Sequence, residues 1–159
     1  VASVKWLTSI RLVDTPFEGH YQTEKYWYEW ERDGGVVREP VTLQQVRALI
    51  TEPAPGAAAA SGALTVRGVA WSGAAPIARV EVAVGDGGWQ EARLVSERKR
   101  HSWQWWEAFA TLDAEHDGET TIRARAFDLA GRSQPAQAEW NRLGYGNNSI
   151  HAVSIRVGE

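Results

Sequence analysis

The sequence predicts an all-β sandwich, and two patterns in residues 43–159 support this fold class. Strand-forming segments recur about every 10 residues with turn residues between them, which is the spacing typical of sandwiches. Several of these segments alternate apolar and polar residues with a period of two, as strands with one buried face do. Sustained helical periodicity is lacking, apart from a weak pattern in VTLQQVRALI (residues 41–50), which we interpret as a linker into the first strand.

The alternation also predicts which side chains of four strands face the core. These inward residues are Leu64, Val66, Gly68 and Ala70; Ala78, Val80, Val82 and Val84; Ile122, Ala124 and Ala126; and Val153, Ile155 and Val157. GDGG (residues 85–88) predicts a tight hairpin because glycine adopts positive φ readily. Asp128 and Gly131 predict the turn in FDLAGRSQP, and EPAPGAAAASG (residues 52–62) is interpreted as a loop.

Residues 1–42 have a different character from the rest of the chain. They are short, mixed and rich in aromatic residues, with a strand-like VKWLTSIRLV (residues 4–13) and a polar ERDGG turn (residues 31–35). Their apolar faces must be covered by other residues, and too few residues precede them in this sequence to do so. We therefore predict two parts, residues 1–42 and residues 43–159.

Composition excludes several classes of function. The net charge is −3, so a basic surface for nucleic acid is not expected. The longest apolar stretch is too short to span a bilayer, and the N-terminus lacks the pattern of a signal peptide. Cysteine is absent and the four histidines are scattered, so we expect neither a disulfide nor a metal site within this chain.

Five strings carry a resemblance to a known family: GVAWSG, DGGW, WQWW, WNRLGYGNN and IHAVSIRV. Together they resemble the C-terminal dimerisation domain of the sulfite oxidase group of molybdenum-cofactor oxidoreductases. The resemblance implies an immunoglobulin-like (E-set type) β-sandwich with an irregular, aromatic-rich N-terminal segment. It also implies that residues 1–42 are the tail of the molybdopterin-binding domain and that residues 43–159 are the dimerisation domain.

The resemblance further implies positions for site residues. Ser3, Val4 and Lys5 begin the SVKWL string. In the family, the first three residues of this motif hold the pterin or its phosphate. Tyr26 follows His20 in an H-aromatic-Q-x-x-x-Y pattern, which the family places beside the metal. A phenol there can donate a hydrogen bond to an anionic substrate.

Arg142 is the candidate for binding the substrate anion, because arginine pairs well with oxyanions. Sulfite-oxidising relatives typically carry this arginine one place before the glycine of the motif, where Leu143 stands here. Because a shift of one residue in a strand reverses the direction of the side chain, Arg142 is expected to point away from the position of that family arginine. Nitrate-reducing relatives have an apolar residue at that place, so another oxyanion stays open as substrate.

Because the family's molybdenum is held by a cysteine thiolate, its ligand must come from residues upstream of this cysteine-free chain. We therefore expect molybdenum–molybdopterin in the full-length enzyme, no cofactor bound to this chain alone, and no turnover by the chain alone. The leading reaction is oxygen-atom transfer that converts sulfite to sulfate.

The predicted partners are a second copy in a homodimer and the upstream molybdopterin domain, with a heme or cytochrome electron acceptor left open. The predicted contact residues are Trp103, Trp105, Trp106 and Phe109 in HSWQWWEAF. The alternative function is a free-standing immunoglobulin-like binding or adhesion module. The sequence does not decide between the periplasm and the cytoplasm of a bacterium.

Overall fold

A computed structural model of the chain describes residues 5–112 and 118–158, which divide into two compact units. The N-terminal unit contains Val1–Thr42 together with Glu139–Asn147. The sandwich unit contains Leu43–Ala138 together with Asn148–Glu159. The assignment of the first 42 residues to a molybdopterin-binding domain stays a prediction, and the structure adds a second stretch of chain to that part.

Ten strands carry almost all of the regular structure within the described residues. The N-terminal unit holds one π-helical turn, Tyr21–Lys25, and the strands β1 (Trp27–Arg32) and β2 (Gly35–Pro40). The sandwich unit holds β3 (Arg47–Glu52), β4 (Ala58–Ala60), β5 (Gly62–Trp71), β6 (Ile77–Val84), β7 (Gln90–Leu94), β8 (Gln104–Leu112), β9 (Gly118–Asp128) and β10 (His151–Gly158). Among the described residues, no helix is long and apolar enough to cross a membrane.

The strands described in the sandwich unit form two packed layers that share one strand. Hydrogen-bonded order runs β3-β5-β8-β7-β6-β9-β10-β4. β7 joins the layers, because Glu91 pairs with Glu81 of β6 while Arg93 pairs with Glu107 of β8. β4 closes the far edge by pairing parallel to β10. This arrangement is the predicted all-β, immunoglobulin-like sandwich.

The core forms where the two layers face each other, and it follows the predicted alternation. Its members include Val66, Val80, Ile122, Val153 and Ile155, all at most 2% exposed. One detail differs in β6, where an irregularity between Ile77 and Arg79 shifts the register and buries Ile77. The alternation had assigned the inward position to Ala78, which is half-buried.

Trp106 corrects one predicted contact residue, because it is a core side chain that is only 1% exposed. Gly68 on β5 lies opposite it in register, and a Cβ there would come within 2.2 Å of the Trp106 ring. Glycine at this position therefore leaves the space that the indole fills. Trp106 cannot contribute to a surface between copies of the folded chain.

Three local predictions are also corrected. Residues 41–50 are more than a linker, since β3 begins at Arg47 and Val46, Ala48 and Ile50 are buried. The strand predicted for residues 4–13 does not form within residues 5–13, where Trp6 is 96% exposed. The GDGG hairpin forms as a longer connection, because β6 ends at Val84 and β7 starts at Gln90.

Buried polar side chains fix the loops of the sandwich unit. The carboxylate of Asp128 accepts hydrogen bonds from the backbone N–H groups of Ala130 (3.0 Å) and Arg132 (2.9 Å), which confirms the predicted turn. Gln134 Oε1 accepts from the N–H of Ala48 on β3 and of Ala126 on β9. One amide oxygen thus connects the two layers.

Candidate functional site

The candidate site residues of the N-terminal unit are arranged around a β-hairpin. β1 and β2 pair antiparallel over their full length, from Trp27 opposite Pro40 to Arg32 opposite Gly35. Asp33 and Gly34 both have positive φ at the turn, which is the conformation that a two-residue hairpin favours. Tyr26 directly precedes β1, so the hairpin begins at the residue next to it.

The stretch 139–147 lies along β1 and runs in the opposite direction. Its contacts join Glu139 to Arg32, Arg142 to Glu29, and Tyr145 to Tyr26. The three contacts follow in antiparallel order, so residues more than 100 positions apart in sequence become neighbours. Both predicted catalytic residues, Tyr26 and Arg142, belong to this arrangement.

Arg142 is held by Glu29 through both backbone and side chain. Its N–H donates to the Glu29 carbonyl at 3.0 Å, and its Nε donates to the Glu29 carboxylate. Arg38 of β2 reaches the other carboxylate oxygen at 3.1 Å. The hydrogen bond from Arg142 is the main cause that lowers the pKa of Glu29, and the charges of Arg142 and Arg38 add to it against the opposing effect of burial.

This cluster has one more positive charge than negative charge. Glu29 is only 10% exposed, whereas Arg142 is 68% exposed and Arg38 is 45% exposed. The carboxylate therefore serves as an inner anchor for two guanidinium groups that face solvent. Such a cluster can attract a small anion while Arg142 keeps a defined position.

Tyr26 lies at the end of the π-helical turn, directly before β1. Its ring stacks on Tyr21 at a centroid distance of 5.8 Å and meets Tyr145 at 5.7 Å. Its N–H donates to the Tyr21 carbonyl at 2.8 Å, and its carbonyl accepts from Val41. Rings on two sides and two backbone hydrogen bonds fix the half-buried phenol.

Two residues that sequence reasoning did not single out hold the stretch 139–147 in shape. Asn141 is 3% exposed, and its amide donates to the Tyr145 carbonyl at 2.6 Å and accepts from the Tyr145 N–H at 3.1 Å. Gly146 has φ +72° and lies so close to Tyr28 that a Cβ would come within 2.7 Å of its ring. The available signal was the string WNRLGYGNN, with an asparagine and two glycines in a short loop.

The predicted pterin-binding residues are only partly described. Ser3 and Val4 lie outside the described residues, and Lys5 is exposed in a stretch without regular structure. Within the described chain, no hydrogen bond or ion pair joins Lys5 to Tyr26 or Arg142. The cofactor role of the three residues stays a prediction.

The described residues do not fit a molybdenum ion. No group of three or more histidine, aspartate or glutamate side chains is positioned to hold a metal within residues 5–112 and 118–158. The sequence has no cysteine to supply a thiolate. A molybdenum ion bound in the style of the resembled family would thus have to take its protein ligand from other residues.

Comparison with protein families places the sandwich unit. Residues 38–158 match the family described as the Mo-co oxidoreductase dimerisation domain. Mitochondrial sulfite oxidase of Mus musculus is 32% identical over 168 residues, which cover 97% of this chain and 30% of that protein. Sulfite oxidase of Arabidopsis thaliana is 30% identical over 175 residues, which cover 98% of this chain and 44% of that protein.

A solved structure agrees with these matches. The sulfane dehydrogenase SoxCD from Paracoccus pantotrophus superposes with a TM-score of 0.71 at 27% identity, over 90% of this chain and 38% of that one. The chain therefore spans less than half the length of each of these relatives. The shared part includes the sandwich unit and most of the N-terminal unit.

Proposed function

Because this chain belongs to the family of Mo-co oxidoreductase dimerisation domains, we propose that it forms the dimerisation region of a sulfite oxidase-type molybdenum enzyme and closes one side of its active site. The observation that carries the proposal is the family match over residues 38–158. The absence of cysteine from the sequence accompanies it. A scaffold that holds no metal of its own suits this task. The family match favours this function over a free-standing adhesion module.

The proposed reaction of the full-length enzyme is the oxidation of sulfite to sulfate. Molybdenum with its pterin, when bound, supplies the oxygen-atom transfer. Supporting the choice of sulfite, relatives at 30–32% identity are named sulfite oxidases. Leu143, at the place where sulfite-oxidising relatives carry arginine, keeps another oxyanion such as nitrate as the competing substrate.

Within that reaction we assign different tasks to Tyr26 and Arg142. Arg142 binds the substrate anion electrostatically, because Glu29 holds it in position while most of its side chain stays exposed. Tyr26 donates a hydrogen bond from its phenol to the bound anion. Ser3, Val4 and Lys5 are assigned to the polar edge or phosphate of the pterin. The full-length enzyme passes its electrons to a heme or cytochrome partner.

The experiment is a metal, pterin and activity analysis of two proteins, the full-length gene product and the chain of 159 residues. We expect molybdenum and pterin in the first, with sulfite oxidation faster than nitrate reduction. The second should contain neither group and should show no turnover. Nitrate reduction without sulfite oxidation would overturn the choice of substrate, and a full-length protein without molybdenum would overturn the enzyme class.

A further inference from the structure

The outer face of the layer formed by β3, β5, β8 and β7 carries exposed aromatic side chains. Trp103, which precedes β8, is 61% exposed, and Trp105 and Phe109 on β8 are 48% and 65% exposed. Trp105 and Phe109 point away from the core because the residues that alternate with them, Trp106 and Ala108, are buried. Large aromatic side chains that are exposed to solvent on one strand indicate an interaction surface.

These aromatic side chains lie in two parts of the outer face, because the charged pair Arg67 and Glu107 stands in register between Trp105 and Phe109. Leu49, Val69 and Trp105 lie side by side in register across β3, β5 and β8. Val69 is only 3% exposed although it alternates with the inward Gly68 and Ala70. Trp71 and Trp103 extend the surface at one end, with ring centroids 6.2 Å apart. We call Leu49, Val69, Trp71, Trp103, Trp105 and Phe109 the aromatic face.

A row of paired charges crosses the aromatic face between Trp105 and Phe109. Glu107 of β8 pairs with Arg93 of β7 and lies 3.8 Å from Arg67 of β5. Arg67 also pairs with Glu52 at 2.9 Å. These two arginines and two glutamates together carry no net charge, so a partner can cover this row without burying an unpaired ion. Arg47 of β3, in register with Trp71, adds one positive charge at the end of the face.

The size of this layer suits a protein partner. At about 3.4 Å per residue and about 4.8 Å per strand, its four strands cover about 500 Å² of planar area. A corrugated surface of that extent approaches the roughly 800 Å² of accessible area that each side of a standard interface buries. The face can therefore carry most of one stable interface.

We propose that the aromatic face is the surface through which two copies of this chain dimerise, with Trp105 and Phe109 near the two-fold axis. The inference rests on the proposed function, since the family description names dimerisation but not the surface that performs it. A row of charges that pair with one another suits a two-fold interface, because each charge there meets a copy of the same surface. An acidic or basic partner would instead require a face of the opposite charge.

The first test measures the dimer dissociation constant by analytical ultracentrifugation. Trp105→Lys and Phe109→Lys should each raise it at least about tenfold, since buried aromatic anchors dominate interfaces. Leu129→Lys is the matched control, because Leu129 is 59% exposed outside this layer and gains the same charge. Circular dichroism of each variant verifies the fold.

Three outcomes distinguish the aromatic face as the dimer surface from the proposed dimerisation function itself. Loss of the dimer in both β8 variants but not in the control supports the aromatic face. Unchanged dimers in both variants overturn the aromatic face, leave the dimerisation function intact and assign the face to another occupant such as a second domain. A monomeric unsubstituted chain contradicts both.

A second test keeps all of the aromatic side chains. Since the chain has no cysteine, single Thr65→Cys and Thr111→Cys variants each carry one thiol on the exposed side of β5 or β8. A nitroxide label on each should give distances between copies of less than about 30 Å, because both lie within one small interface. Leu129→Cys should give a longer distance or none. Equal or shorter distances for Leu129→Cys would overturn the proposal.

Discussion

Ile50 of β3 donates its backbone N–H to Nδ1 of His151 on β10 at 3.2 Å, so an imidazole connects the two layers of the sandwich. The acceptor must be an unprotonated nitrogen, which makes the contact specific to neutral histidine. Burial lowers the pKa of His151, and the nearby charge of Arg47 lowers it further. The folded chain therefore favours the neutral ring.

We predict that the free energy of unfolding falls as the pH is lowered through about 6.5, the ordinary pKa of histidine. Below that value the unfolded state binds a proton more readily than the folded state, so acid favours unfolding. Urea denaturation between pH 7.5 and 5.5 measures the slope. His151→Gln should flatten it, whereas His101→Gln, an exposed control, should not. Equal slopes in all three proteins would contradict the prediction.

Asp128→Ala should lower the free energy of unfolding by about 3 kcal/mol, because loss of the buried carboxylate leaves several hydrogen-bond donors without a partner. Its Oδ2 accepts from Ser72 at 2.8 Å and from Arg132 Nε at 3.0 Å. Asp86→Ala in the exposed GDGG connection is the control and should change stability by less than about 0.5 kcal/mol. Thermal and urea unfolding measure both, and similar losses would contradict a special role for Asp128.

Acid should weaken the same network. Burial acts to raise the pKa of Asp128, but hydrogen bonds from the Arg132 backbone and the Ser72 hydroxyl, with the charge of Arg132, hold it below its ordinary value. The contribution of Asp128 is thus complete above the ordinary pKa of aspartate and is lost as the pH falls below it. The difference in stability between the unsubstituted chain and Asp128→Asn should shrink in that range.

The sequence was sufficient for the strands in which apolar residues strictly alternate. β9 and β10 are examples, since Ile122 and Ile155 are buried as predicted. The sequence was insufficient for β3. There Leu49 stands between Ala48 and Ile50, so three consecutive apolar residues hide the alternation and give a weak helical pattern. It also could not decide which tryptophan of WQWW is buried, because that depends on the glycine opposite it on another strand.

The candidate site was less predictable than the fold for a physical reason. Arg142 and Glu29 are 113 positions apart, and no local pattern marks two charges that meet only after folding. Tyr26 and Arg142 were singled out through motifs of a resembled family. The residues that position them, Asn141 and Gly146, act through loop geometry that a single sequence does not display.

Tyr26→Phe tests the assigned role of the phenol in the full-length enzyme. The substitution keeps the ring that contacts Tyr21 and Tyr145 and removes only the hydroxyl. We expect kcat to fall about 100-fold, a typical effect of losing a positioned proton donor. Tyr21→Phe, on the neighbouring exposed ring, should leave kcat within about twofold. Equal effects would assign Tyr26 a packing role instead.

Gly146→Ala should destabilise the N-terminal unit far more than Gly144→Ala. Both glycines have positive φ, +72° and +71°, so each substitution pays a backbone cost of about 1 kcal/mol. Only at position 146 would the new Cβ meet the Tyr28 ring, while position 144 is open. The clash should add about 2 kcal/mol. Hydrogen exchange of the β1 amides measures the difference, and because the two variants share the same backbone strain, equal exchange rates would show that the stretch 139–147 does not pack closely on Tyr28.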